Sequence, residues 1–261
     1  MAAVGTISRP QPSKPVQIPR AVASEQLALK DTQMTILNDP KLERLLDRLH
    51  ERSDAQTSAI REHRAERDRA IGRAPEDQAA LTKTFLADKL YALDRDKAEF
   101  CYQVCRAIDA RRVVEMGTSY GVSTLYLAAA VRDNVHAGGG SGVVIGTEYE
   151  PVKARAARAH FEEAGLSSFI DLREGDLRDT LRQVGGSVDF VLFDIWLPMA
   201  RPALELIAPH LRPRAVVVSD NTEIDRRGYS DYFAFINDPA QRFLTMTLPF
   251  SGGLEMSVRL V

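Results

Sequence analysis

The chain is poor in several residue types, and each scarcity excludes something. No run approaches the ~18 apolar residues of a membrane-spanning helix, so no such span is expected. The N-terminus has no apolar signal-peptide core, and no secretion signal is read there. Charge of one sign is not in excess: 34 Lys and Arg stand against 36 Asp and Glu, a formal net charge of -2. That balance gives no strong field for nucleic acid or an acidic membrane. Cysteine is limited to Cys101 and Cys105, four apart on an expected helix. A redox or metal pair is one reading of that spacing. The other, taken as the expectation, is two small buried residues on one helix face. Two cysteines make no disulfide framework, and a reduced, cytoplasmic setting fits best. There is one tryptophan, Trp196, and it lies beside the most informative stretch of the sequence.

What is present suffices for a sizeable core: 261 residues, 44% of them hydrophobic. Residues 1–23 hold several prolines and no periodic apolar face, so a flexible arm is expected. Residues 24–93 read as a charged helical region. In "PKLERLLDRLHERS", Leu42, Leu45, Leu46 and Leu49 fall at helical spacing behind an Asp39-Pro40 start. "AIREHRAERDRAIGR" has almost no apolar stripe. Its basic residues alternate with acidic ones, which reads as a solvated or dimer-facing helix. Two more helices are expected, near 76–90 and 94–109.

From Arg112 the pattern changes. Short apolar runs at 113–116, 142–148, 169–174, 188–194 and 215–220 alternate with helical stretches. That alternation predicts a parallel α/β sheet buried on both faces. "FLTMTLPF" and "LEMSVRLV", joined by "SGG", read as a closing antiparallel hairpin. Residues 94–261 therefore form the expected main domain.

Ligands of open α/β sheets sit beyond the carboxyl ends of the strands, so the residues there are the candidates. Strand one runs into "EMGTSYGVST". Gly117 and Gly121 allow a tight turn, and the next helix offers free N–H groups to an anion. A plain strand-to-helix turn is the alternative. Strand two ends on Glu148, where a carboxylate can accept both hydroxyls of a ribose; a surface Glu starting a helix is the alternative. Asp176 follows strand three, either as an adenine contact or as a helix cap. Asp194 and Asp220-Asn221 end strands four and five. Two carboxylates and an amide suit a hard cation such as Mg²⁺. Alternatively Asp220 caps a helix and Asp194 meets only a cofactor.

Together, "VVEMGTSYGVSTLYLA", "GTEYEP", "VDFVLFDIW", "VVVSDN" and "LPFSGGLEMSV" resemble the class I S-adenosylmethionine-dependent O-methyltransferases, notably the catechol and caffeoyl-CoA O-methyltransferase group. The resemblance covers about residues 94–261. It implies a Rossmann-like seven-stranded α/β sheet, parallel with a terminal antiparallel hairpin, plus N-terminal helices. It also implies S-adenosyl-L-methionine as cofactor. Glu115, Gly117, Thr118, Ser119, Tyr120 and Ser123 would lie along the methionine end of that cofactor, Glu148 at the ribose, Asp176 and Leu177 at the adenine, and Trp196 against its face. Asp194, Asp220 and Asn221 would match the Mg²⁺ ligands, with Asp194 also at the catalytic centre. A small-molecule acceptor, a homodimer, and no nucleic-acid or membrane partner complete the expectation.

One position departs from the group. Its members carry Lys directly after this tryptophan as general base, and here Leu197 stands there, followed by Pro198. Two readings follow. Either the metal and another group, His160 or a lysine from the N-terminal helices, replace that base, or the acceptor is a carboxylate and the product a methyl ester. Tyr91, Arg226, Arg227 and Tyr229 are further candidate acceptor contacts, with surface or packing roles as the alternative. Two competing classes remain, a nicotinamide-dependent oxidoreductase and a non-catalytic cofactor-binding protein.

Overall fold

The computed structural model describes residues 35–69, 81–82 and 84–260. The expected arm at 1–23 and residues 76–80 and 83 of the expected helix at 76–90 lie outside them. Helix α1 (Pro40–Asp54) begins as its sequence dictates. Asp39 accepts the Leu42 N–H at 3.1 Å, and Pro40 occupies a first-turn position that needs no N–H. Leu42, Leu45, Leu46 and Leu49 are all buried, each worth about 1.5–3 kcal/mol relative to exposure. In helix α2 (Thr57–Arg69), Ile60 is the one buried hydrophobic residue among those described.

The rest is a single twisted sheet with helices on both faces. In chain order the elements are α3 (Arg95–Ala107), β1 (Arg112–Met116), α4 (Val122–Gly138), β2 (Val143–Glu148), α5 (Pro151–Ala164), β3 (Ile170–Glu174), α6 (Leu177–Thr180), β4 (Val188–Phe193), α7 (Leu197–Ile207), β5 (Leu211–Asp220), α8 (Ser230–Ile236), β6 (Phe243–Leu248) and β7 (Leu254–Arg259). The seven strands lie in the order β3-β2-β1-β4-β5-β7-β6. The first five pair in parallel. β7 inserts antiparallel between β5 and β6.

Alternation along the strands divides the core in two. Val114, Met116, Val191, Phe193 and Val217 pack against α7 and α8. Their neighbours Val113, Phe190, Leu192 and Val216 are equally buried and point to the opposite face. That second layer is closed by α3 and α4, and α4 is buried at every position from Val122 to Val131.

β5 starts earlier than the apolar run at 215–220 predicts. Leu211 already pairs with Val188, and a register shift between Val188 and Phe190 absorbs the intervening residues. Arg214, with a φ of 66°, sits in that irregularity. The strand order reverses between β1 and β4, each partnered outward in a different direction. Their carboxyl ends therefore open the crevice where ligands of such sheets bind.

Candidate active site

β1 ends in a loop whose glycines are structurally required. Gly117 has a φ of 96°, and a Cβ there would stand 2.0 Å from the Asp194 carbonyl oxygen. The absent side chain lets the end of β1 cross directly over the end of β4, and the Asp194 N–H donates to the Met116 carbonyl at 3.0 Å. Gly121 caps α4 in the left-handed region, with the Phe161 ring 2.4 Å from where its Cβ would stand. The first N–H groups of α4 are left open by helix geometry and lie at the rim of the crevice.

Two glutamates are set around this loop. Glu115 is fully buried, and its Oε2 accepts the Thr118 hydroxyl at 2.9 Å and the Thr124 hydroxyl. Its Oε1 is buried with no hydrogen-bond partner. Burial raises its pKa, against the lowering effect of the hydroxyls. Glu148, at the end of β2, accepts the Ser119 N–H on Oε2 and the Glu150 N–H on Oε1, both at 2.7 Å. It thereby ties the β1 loop to the β2 end. Ser119 holds a left-handed φ of 50° to present that N–H.

Two cavities flank the crevice. The larger, about 480 Å³, is lined by α1 and α2 (Asp47, His50, Ile60), by Tyr91 and Asp94, and by Asn221 and Gly252. The smaller, about 10 Å³, lies over the loop between Gly117 and Ser123, with Asp194 at its edge. Tyr91, Ala92 and Leu93 line both. Tyr120 fastens this segment by donating its hydroxyl to the Asp88 carbonyl at 2.9 Å.

The remaining predicted residues fall in different places. Asp176 is the N-cap of α6, accepting the Arg178 N–H at 2.9 Å, and the paired Arg178 guanidinium holds its pKa at about 2. Leu177 opens that short helix. Trp196 is 42% exposed at the start of α7. Of the acceptor candidates, Tyr91 lines the larger cavity, whereas Tyr229 is buried and donates to the Asp220 carbonyl at 3.2 Å. Arg226 is exposed, pairs with Glu223 and lies over the Phe233 ring. Arg227 is exposed. His160 donates from Nδ1 to the Tyr120 carbonyl at 2.9 Å and is absent from the cavity lining, so it is not placed to replace a base. Leu197 packs into the core cluster beside Gly228.

The metal expectation gains no support from this geometry. Asp220 is buried, and its Oδ1 accepts from Lys97 Nζ at 2.7 Å while its Oδ2 accepts from Asn221 Nδ2 at 2.7 Å. The Lys97 ammonium is 1% exposed and also reaches Asp94 at 3.0 Å. Asn221 turns its amide nitrogen, rather than its oxygen, toward the carboxylate. Asp194, Asp220 and Asn221 therefore do not present three open oxygens to a cation. Among the described residues no group of three or more His, Cys, Asp or Glu forms a metal site. Burial acts against the charge on Lys97, but Asp220 and Asp94 outweigh it and hold its pKa above the usual lysine value. Asp194 is half-buried, and desolvation together with the nearby charges of Asp220 and Glu115 pushes its carboxyl well above the usual range. Lys97 was not among the residues singled out from the sequence. It lies 123 positions from its partner, and "DRDKAEF" carries no local signal for it.

Residues 114–222 match the family described as a methyltransferase domain. With the sheet order and the crevice already described, this match makes residues 114–222 similar to a methyltransferase domain in both sequence and fold. The chain is also similar to two catechol O-methyltransferases. The catechol O-methyltransferase of Mycobacterium tuberculosis is 31% identical over 153 residues, which is 58% of this chain and 66% of the relative. The catechol O-methyltransferase of Niastella koreensis is 28% identical over 154 residues, 56% of this chain and 66% of the relative. The match thus spans 66% of the length of these curated relatives, just under two thirds. Among solved structures, an S-adenosylhomocysteine-bound methyltransferase of Podospora anserina gives a TM-score of 0.61 at 15% identity, covering 95% of this chain and 99% of that one. An O-methyltransferase from Bacillus cereus, also with S-adenosylhomocysteine, gives 0.58 at 18% identity over 81% of this chain and 99% of that one. At these identities the likeness is one of fold. Neither the nicotinamide nor the non-catalytic reading gains support from these relatives.

Proposed function

We propose that this protein transfers a methyl group from S-adenosyl-L-methionine to a hydroxyl of a small aromatic molecule. The observation that carries the reading is the buried, unpartnered Oε1 of Glu115 beside the glycine loop, with Glu148 and the open end of α4 around the same crevice. A polar atom stranded in a core is costly unless a ligand completes it. The amino group of the methionine moiety has the right chemistry. Glu115, Gly117, Thr118, Ser119, Tyr120 and Ser123 would hold that moiety, and the carboxylate would meet the α4 N–H groups. Glu148 has an unused lone pair on each oxygen for the ribose hydroxyls. Asp176 and Leu177 would border the adenine, and the exposed face of Trp196 would cover it. Seating the methionine end requires the 90–93 segment to lift, because the space above the loop is only about 10 Å³.

The cofactor supplies an activated methyl group, and the chain's task is to align the acceptor oxygen with it and exclude water. The larger cavity is the proposed acceptor site. It is big enough for a single aromatic ring with substituents. The catechol O-methyltransferase relatives support an aromatic hydroxyl as acceptor and do not favour a carboxylate. A homodimer is the proposed assembly, supported by the exposed Leu244 and Met246 on the outer strand β6. The cytoplasm is the proposed setting, supported by two buried free thiols. Calorimetric titration tests the cofactor assignment. S-adenosylmethionine should bind with one site per chain and NADH should not, and the reverse result would overturn the reading.

A further inference from the structure

We propose that the Lys97 ammonium permanently occupies the cation position of this site, so that the protein holds no divalent metal there and its acceptor need not be a metal chelator. This rests on the methyltransferase reading above and extends it to the substrate class. The observation is geometric. A cation bridging the ends of β4 and β5 would need Asp220 Oδ1, the atom that Lys97 Nζ already meets at 2.7 Å. The other oxygen, Oδ2, faces the Asn221 amide nitrogen, which is a donor and repels a cation. Asp94 anchors the same ammonium from outside at 3.0 Å, so the lysine is held from two sides in a position that is 1% exposed. A buried ammonium paired with carboxylates on both sides does not swing out to admit Mg²⁺, which itself surrenders water reluctantly.

The consequence for the acceptor is direct. A bound metal recognises two adjacent oxygens as a chelate, whereas a fixed ammonium sets no such demand. Lys97 has three N–H donors and the two carboxylates account for two of them. Phenols with one hydroxyl should therefore serve as well as catechols. In this account Lys97 is a positioning residue. It supplies the positive charge that keeps Asp220 in place at the crevice.

The test is a Mn²⁺ titration followed by electron paramagnetic resonance, on the full chain with S-adenosylhomocysteine present. The wild type should show no site below millimolar Mn²⁺. The Lys97→Ala variant, which uncovers Asp220 beside Asp194, should bind Mn²⁺ at least tenfold more tightly; if it does not fold, Lys97→Gln takes its place. One equivalent of Mn²⁺ bound tightly by the wild type, and lost in Asp220→Asn, would overturn the proposal. A folded Lys97→Ala that stays silent would also overturn it, because the lysine would then not be what excludes the metal. A strict preference of the wild type for catechols over single phenols would remove the substrate inference. Failure of the wild type to bind S-adenosylhomocysteine would instead sink the methyltransferase reading, and the titration separates the two.

Discussion

Glu148→Gln tests the ribose assignment with a magnitude that follows from the structure. Each carboxylate oxygen accepts one backbone N–H at 2.7 Å, from Ser119 and from Glu150. Glutamine has the same shape but one acceptor oxygen. Its NH₂ must face one of those two N–H groups, leaving that donor unpaired at a buried site, a cost of about 1–3 kcal/mol. That part appears as lower stability or a loosened 117–121 loop. The second effect is on binding. One ribose hydroxyl loses a hydrogen bond to a charged oxygen, worth about 1.5–3 kcal/mol, and affinity for S-adenosylhomocysteine should fall roughly 10- to 150-fold. Calorimetry measures the affinity, and circular dichroism confirms that the variant is folded. A folded variant with affinity within about threefold of wild type would refute the assignment.

Four other outcomes follow from the structure. Gly117→Ala forces a φ of 96° and a 2.0 Å approach to the Asp194 carbonyl on a side chain, so it should lose about 2–4 kcal/mol in a denaturant titration and lose cofactor binding. His50 is buried, which lowers its pKa from 6.5 to about 4. The unfolded chain then takes up a proton near pH 6.5 that the folded chain refuses until about pH 4, so stability falls as pH drops through that window, by up to about 3 kcal/mol. His50→Gln should flatten the curve measured by urea unfolding between those pH values. Asp189→Asn weakens a carboxylate that accepts the Arg111 and Arg112 N–H groups and pairs with Arg212, near the amino end of the central strand β4 and away from the crevice at the carboxyl ends. It should lower the unfolding midpoint, by roughly 1–3 kcal/mol of stability, while leaving cofactor affinity unchanged. Cys101 and Cys105 are buried, and burial raises both thiols far above the usual range, so a thiol reagent should label them only after denaturation.

The fold was legible where burial acts on both faces of a strand. "VDFVLFD" reads as apolar throughout because both of its faces meet helices, and β4 occupies that run from Val188 to Phe193. The capped start of α1 was equally clear, since Asp39, Pro40 and the leucine spacing all act within one turn or two. The early start of β5 was not, because pairing of Leu211 with Val188 depends on the neighbouring strand rather than on local pattern. The site divides in the same way. Glu115, the glycine loop, Glu148, Asp194 and Asp220 sit at strand ends, and periodicity locates strand ends. The partner of Asp220 could not be read, because Lys97 comes from α3, 123 positions away in the sequence. A lysine flanked by "DRD" and "AEF" looks like any solvated helix start. Only the packing of α3 beside β5 reveals that its side chain is buried against Asp220.

The central claim is methyl transfer to an aromatic hydroxyl. The most direct measurement is incubation with S-adenosylmethionine carrying an isotopically labelled methyl group and a panel of phenols, catechols and aromatic carboxylic acids. Mass spectrometry then locates the label. The account predicts label on a ring hydroxyl, with one S-adenosylhomocysteine formed per methyl transferred. Label confined to carboxyl groups as methyl esters, or no transfer to any acceptor by a protein that binds the cofactor, would contradict it.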